Sequence, residues 1–143
     1  MKKLLFLVVV CLVTLLANAQ FVDLGLPRGT KWKSQSESSS YTFAYALRYY
    51  DGFLPTYGQF EELIENCTWK WTGKGYKVIG RNGNSIYLSA DFKRGDDYVG
   101  AFWSKTKDGA DGCYGLLCFP RRVKVDHTRS LDTERSVILC IMK

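Results

Sequence analysis

Pro55 fixes how the first half of this chain can fold. Its ring crowds the residue before it, so Leu54 is pushed out of the helical region, and helical patterns on either side must belong to two separate helices set at an angle. After Pro55, the Thr56 hydroxyl and the Gln59 side chain stand at the spacing of a capping box. Phe60, Leu63, Ile64 and Cys67 then recur at i, i+3, i+4 and i+7 on one face, which turns Glu61, Glu62 and Glu65 toward water. Before Pro55, residues 41–50 place Phe43, Ala46, Leu47 and Tyr50 on one stripe and stop at Asp51-Gly52.

The rest of the chain reads as strands. Residues 21–26 alternate and break at Pro27, and 30–33 carry Trp32 as an anchor. A serine-rich connection, 34–40, leads into the first helix. Residues 68–72 alternate, so Trp69 and Trp71 share a face; 76–79 and 85–88 form a hairpin with Asn82-Gly83 as its tight turn. Residues 91–101 are polar and contain glycine, which predicts a long loop. Short strands follow at 102–104, 113–119 and 121–125, then a loop at 127–134, and the apolar run 137–142 reads as a buried central strand. Two early helices and many later strands make an α+β domain.

Lys2-Lys3, the 13 apolar-rich residues 4–16 and Ala17-Asn18-Ala19 have the order of a signal peptide, with cleavage after Ala19. The apolar stretch is shorter than the roughly 20 residues a spanning helix needs, so no transmembrane segment is expected after cleavage. The expected mature chain, 20–143, is a single domain by length. Lys2 and Lys3 leave with the signal, so 20 basic residues become 18 against 14 acidic ones, a net of +4. The excess is mild and scattered apart from Arg121-Arg122 with Lys124, which reads as a solvated face and not as a nucleic-acid stripe. Export to the periplasm, the cell surface or the medium is the expectation.

Cys67, Cys113, Cys118 and Cys140 stay in the mature chain. In an oxidising compartment an even number permits two bridges, in three connectivities. If 113–119 and 137–142 are antiparallel neighbours, Cys118–Cys140 is reachable, with Cys113–Cys140 as its rival; Cys67 can instead be a buried free thiol. No Cys-x-x-Cys spacing is present, so neither a zinc site nor a dithiol centre is expected.

Four segments resemble one secreted family. They are 21–32 (FVDLGLPRGTKW), Leu54-Pro55-Thr56 with Phe60-Glu61-Glu62-Leu63 and Asn66-Cys67-Thr68-Trp69, 82–88 (NGNSIYL), and Phe102-Trp103-Ser104. The chain is similar to the Fibrobacter succinogenes major paralogous domain type, found in surface and secreted proteins of gut bacteria. The resemblance implies a C-type lectin-like fold, related to that of the sulfatase-modifying factors. It departs from the pattern in a short segment between Trp32 and Tyr41, and in Cys113, Cys118 and Cys140.

A fold of this kind hosts unrelated roles, so function must come from the site. The Glu-Pro-Asn or Gln-Pro-Asp loop and Trp-Asn-Asp strand of a calcium lectin are missing, since Trp103 is followed by Ser104-Lys105. His127 has no placed nucleophile beside it, and no acid, base and stabiliser set assembles. No cofactor or metal is expected. The reading is a non-catalytic module that binds a protein or glycan through Arg94, Asp96, Asp97 and Tyr98, with Lys105 and Lys107. The alternatives are a structural subunit of a surface assembly that pairs through 137–142, or a small secreted enzyme or enzyme inhibitor.

Overall fold

Thr56 starts the better-defined helix as the sequence predicts. Its hydroxyl accepts from Gln59 N at 3.2 Å and the Gln59 side chain accepts from Thr56 N at 2.8 Å. The computed structural model describes residues 21–142, and the expected signal segment lies outside them. The chain runs β1 (Phe21–Asp23), β2 (Lys31–Lys33), α1 (Phe43–Tyr50), α2 (Tyr57–Asn66), β3 (Thr68–Trp71), β4 (Gly75–Ile79), β5 (Ser85–Ser89), β6 (Phe92–Arg94), β7 (Asp97–Asp108), β8 (Gly112–Phe119), β9 (Arg122–Thr128) and β10 (Cys140–Ile141). The named strands form three antiparallel sheets, ordered β1-β2-β10, β3-β4-β5 and β6-β7-β8-β9, so the domain is α+β.

Two apolar clusters form the core. The larger gathers Leu24, Trp32, Phe60, Leu63, Val78, Leu88, Phe102, Leu116 and Ile138; the smaller gathers Phe43, Ala46, Leu54, Trp103, Cys113, Val137 and Leu139. Because strand side chains alternate, one segment can serve both. In β7, Phe102 enters the larger cluster and Trp103 the smaller; in 137–140, Val137 and Leu139 face the smaller and Ile138 and Cys140 the larger. β7 and the C-terminal segment are therefore a shared wall.

Several expectations need correction. Residues 91–101 are not a loop: β6 and the start of β7 form a hairpin, with Phe92 opposite Val99 and Arg94 opposite Asp97. The apolar run 137–142 is buried as far as Cys140, but its ladder is only the two residues of β10 at a sheet edge, and β2 is the central strand. Its backbone is tied irregularly, with Val137 O accepting from Glu37 N and Leu139 O from Lys33 N, both at 2.8 Å. The Asn82-Gly83 turn is one residue longer than a tight two-residue connection. Gly80 O accepts from Gly83 N at 3.0 Å and only Gly83 has positive φ, the pattern of a three-residue loop. Asn82 spends its side chain elsewhere, donating to Asp23 O at 2.8 Å.

The disulfide expectation fails for a topological reason. β8 pairs with β7 and β9 while β10 pairs with β2, so Cys118 and Cys140 are not on neighbouring strands. Cys113 faces the smaller cluster and Cys140 the larger, and Cys67, Cys113, Cys118 and Cys140 are all free thiols.

Candidate functional site

Two short turns build a cleft. Arg94 and Asp97 are cross-strand partners, and the connection between them, Gly95-Asp96, has positive φ at Gly95 alone, as a type II′ turn requires. Phe119 and Arg122 are likewise partners, with Pro120-Arg121 between them. The Tyr76 hydroxyl donates to Phe119 O, which pins this second turn to β4. Between the turns lies a cleft of about 650 Å³ lined by Arg94, Asp97, Phe119, Pro120, Arg121 and Arg122.

The cleft continues onto an aromatic shelf. A smaller concavity of about 290 Å³ shares Pro120, Arg121 and Arg122 with it and adds Trp69, Trp71, Tyr76 and Val123. Trp69 and Trp71 lie on the same face of β3, half-buried, with their ring centroids 5.5 and 5.0 Å from that of Tyr76 in edge-on contact. The Trp69 indole N–H donates to Leu63 O at 3.3 Å, which holds that ring to α2. Thus three guanidinium groups, one carboxylate and two indoles border one continuous surface. Among the described residues, the ion pairs involve none of Arg94, Arg121 or Arg122. The Arg122 guanidinium lies 6.0 Å from the centroid of the Phe119 ring.

The residues expected from sequence divide between two places. Arg94 and Asp97 line the cleft. Asp96 and Tyr98 are exposed at the tip of the same hairpin, with the Lys93 ammonium 6.0 Å from the centre of the Tyr98 ring. Lys105 and Lys107 lie toward the far end of β7, roughly 23 to 30 Å from Tyr98 at the rise of a strand. They do not belong to this site. Arg121 and Arg122, read from sequence as a solvated face, are at its centre. The signal that marks them is the Pro120-Arg121 pair between two strand patterns, which makes a turn there, but no local feature says that the turn faces Arg94.

A second groove of about 420 Å³ runs along α2 between Arg28, Tyr57, Glu61, Glu62, Glu65 and Asn66. Glu62 is not solvated as its helical position suggests: it is 6 % exposed, and its Oε2 accepts from Arg28 N at 2.9 Å. The loop before β2 folds over α2 and covers it. Its other oxygen has no partner among the described residues. No group of three His, Cys, Asp or Glu among the described residues is placed to hold a metal ion.

The thiols are poorly suited to nucleophilic work. Burial pushes Cys67 up to about 11, with the Glu62 charge adding to it, and Cys140 up to about 12. Burial also raises Cys118 and Cys113. Cys113 Sγ donates to Ser104 O and Tyr114 O, as a structural thiol does. His127 ends in β9 and not in a loop; its Nδ1 lies 3.2 Å from Asp108 Oδ2, and the pair is exposed. The chain matches no family model, no curated protein and no solved structure.

Proposed function

We propose that this protein is a non-catalytic binding module of C-type lectin-like type, exported from the cell, that recognises a protein or glycan through the surface between the β6–β7 and β8–β9 turns. The observation that carries the reading is the continuity of that cleft with the Trp69–Trp71 shelf, which sets guanidinium groups that form no ion pair among the described residues beside aromatic rings. Recognition surfaces commonly combine such rigid aromatic and arginine contacts. The rings are held by Tyr76 and Leu63 and both turns are short, so little order must be gained on binding.

The burial of all or much of each thiol and the exposure of His127 give a catalytic reading no anchor in side-chain geometry. The surface-assembly alternative needs an apolar strand free to pair. Residues 136–140 are instead buried between the two clusters, which leaves only Ile141 and Met142 to serve that purpose. Export rests on the signal pattern of residues 1–19.

Purified protein tested against a panel of glycans and secreted host proteins, with calcium and with chelator, is the direct examination. Binding should survive chelation and weaken when Arg94 and Asp97 are replaced by Ala and Asn. Retained affinity in that double variant would remove the site from this surface.

A further inference from the structure

We infer that the ligand of this surface is an anionic saccharide, one that carries carboxylate or sulfate groups on a pyranose chain. The inference rests on the binding-module reading above and names its ligand class. It begins with charge: Arg94, Arg121 and Arg122 border the cleft against the single carboxylate of Asp97, and none of the three forms an ion pair among the described residues. A guanidinium fork matches the two oxygens of a carboxylate or sulfate, and such charge-assisted bonds are stronger than those between neutral groups. Arg94, Arg121 and Arg122 are exposed to water, so a neutral sugar would gain no charge-assisted bond in exchange for that solvation.

The shelf supplies the second half. Trp69 and Trp71 are two residues apart on one face of β3, about 6.6 Å along the strand, and both border the concavity that shares Pro120, Arg121 and Arg122 with the cleft. Half-buried indoles offer flat apolar area beside a polar cleft, which suits the C–H face of a pyranose ring. Asp97 then separates a saccharide from a bare inorganic anion. Its carboxylate would repel phosphate or sulfate alone, but it accepts hydrogen bonds from sugar hydroxyls beside the charged substituent. A chain laid from the shelf to the cleft would stack first and pair its anionic groups at the Arg121-Arg122 turn.

The test is titration calorimetry of the purified protein with four probes: a galacturonate oligomer, a sulfated heparin oligomer, a neutral dextran oligomer and poly-glutamate peptide. At least one anionic saccharide should bind, with the neutral oligomer weaker by roughly tenfold or more, the scale of a lost charged hydrogen bond. The two anionic probes distinguish carboxylate from sulfate as the recognised group. Arg121→Ala with Arg122→Ala should weaken binding roughly tenfold or more and flatten its salt dependence. Trp71→Ala should weaken it about fivefold with the salt dependence kept. Trp71→Phe, which preserves packing on Tyr76, guards against loss of fold and should retain most of the affinity. Lys105→Ala with Lys107→Ala should change nothing.

Equal binding of dextran would overturn the ligand class while leaving the site in place. Poly-glutamate binding as tightly as the saccharides, with no loss in Trp71→Ala, would identify an acidic protein partner and equally overturn it. Silence toward all four probes overturns the saccharide. Binding lost in the Lys105 and Lys107 variant but kept in the Arg121 and Arg122 variant would overturn the site as well.

Discussion

The two core clusters share a wall but are built differently. The larger is closed by apolar side chains and by α2, whose N-terminus carries a reciprocal cap. The smaller is edged with polar groups. The Trp103 indole N–H donates to Tyr41 O at 2.7 Å, and the Arg135 guanidinium stands 4.8 Å from the Trp103 ring centroid. Ser104 is fully buried and donates to Tyr114 O at 2.7 Å, and Arg135 keeps one buried nitrogen without a partner among the described residues. The larger cluster is held mainly by apolar area. At its edge the Tyr76 hydroxyl donates to Phe119 O and the Trp69 indole to Leu63 O, and the buried Trp32 indole N–H has no partner among the described residues. The smaller gathers its polar groups around one tryptophan. The candidate site sits on the larger cluster, because Tyr76 belongs to it and Trp69 and Trp71 pack against it. Its rings are held by that cluster together with the Trp69 bond to Leu63 O, and its second turn by the Tyr76 bond to Phe119 O.

The sharpest way to break this comparison is to empty each side of the shared wall. Phe102→Ala and Trp103→Ala should each cost about 3 to 5 kcal/mol, read from chemical denaturation. Both should give one cooperative transition, since β7 serves both clusters. Trp103→Ala should sit at the upper end, because it also removes the indole hydrogen bond to Tyr41 O, which keeps only that from Arg135 N, and takes away the ring beside the Arg135 guanidinium. If hydrogen exchange in that variant quickened only in α1, the smaller cluster would be a separate cooperative unit and the shared wall would be wrong.

A smaller effect tests how tightly the wall is packed. A Cβ at Gly115 would stand 2.6 Å from Phe102 O and 2.7 Å from Arg135 Nη1, so Gly115→Ala must displace backbone or the buried guanidinium. The expected loss is about 1 to 3 kcal/mol. No loss would mean that Arg135 swings clear without penalty, and its stacking on Trp103 would then be incidental.

Next in size are the helix caps, one for each cluster. Thr56 has two reciprocal bonds, whereas Thr42 accepts only from Tyr45 N at 3.4 Å. Thr56→Ala should cost about 1 kcal/mol or somewhat more, and Thr42→Ala about 0.5 kcal/mol. Equal losses would remove the distinction between the two helix starts.

These contrasts also explain what could be read from the chain. The cap at Thr56 is legible because both partners lie within four residues, and the stripe at Phe60 and Leu63 because helical period is local. The β6–β7 hairpin is hidden because its strands are polar and mostly exposed: Lys93, Arg94, Asp96, Asp97 and Tyr98 give no alternation to detect. Glu62 reads as solvated because nothing near it in sequence announces that residues 27 and 28 fold over it. The same limit governs the site. Arg94 and Asp97 could be singled out as a charged pair around glycine, but their meeting with Arg121 and Arg122 depends on three strand pairings that bring the β6–β7 and β8–β9 turns to the same end of one sheet.

The thiols give an effect confined to alkaline pH, one that vanishes at neutral pH. Cys67, Cys118 and Cys140 belong to the larger cluster and Cys113 to the smaller, and burial raises all four above an ordinary thiol. For a group whose folded value is raised, stability is fully present below the unfolded value and is lost as pH rises through the folded one. With an ordinary value of 9.0 and folded values of about 11 for Cys67 and about 12 for Cys140, denaturation midpoints should hold steady up to about pH 9 and then fall toward pH 12. Cys140→Ala should blunt that fall; if it does not, the thiol is not what drives it. Labelling without reductant gives the independent check. Denatured protein of residues 20–143, which lacks Cys11, should take up label at four cysteines. Native protein should react first at half-buried Cys67, about a hundredfold slower than an ordinary thiol because its raised value cuts the thiolate fraction. Label at only two cysteines after denaturation would mean that a bridge had formed between residues the fold holds on separate strands, and the shared wall would have to be redrawn around it.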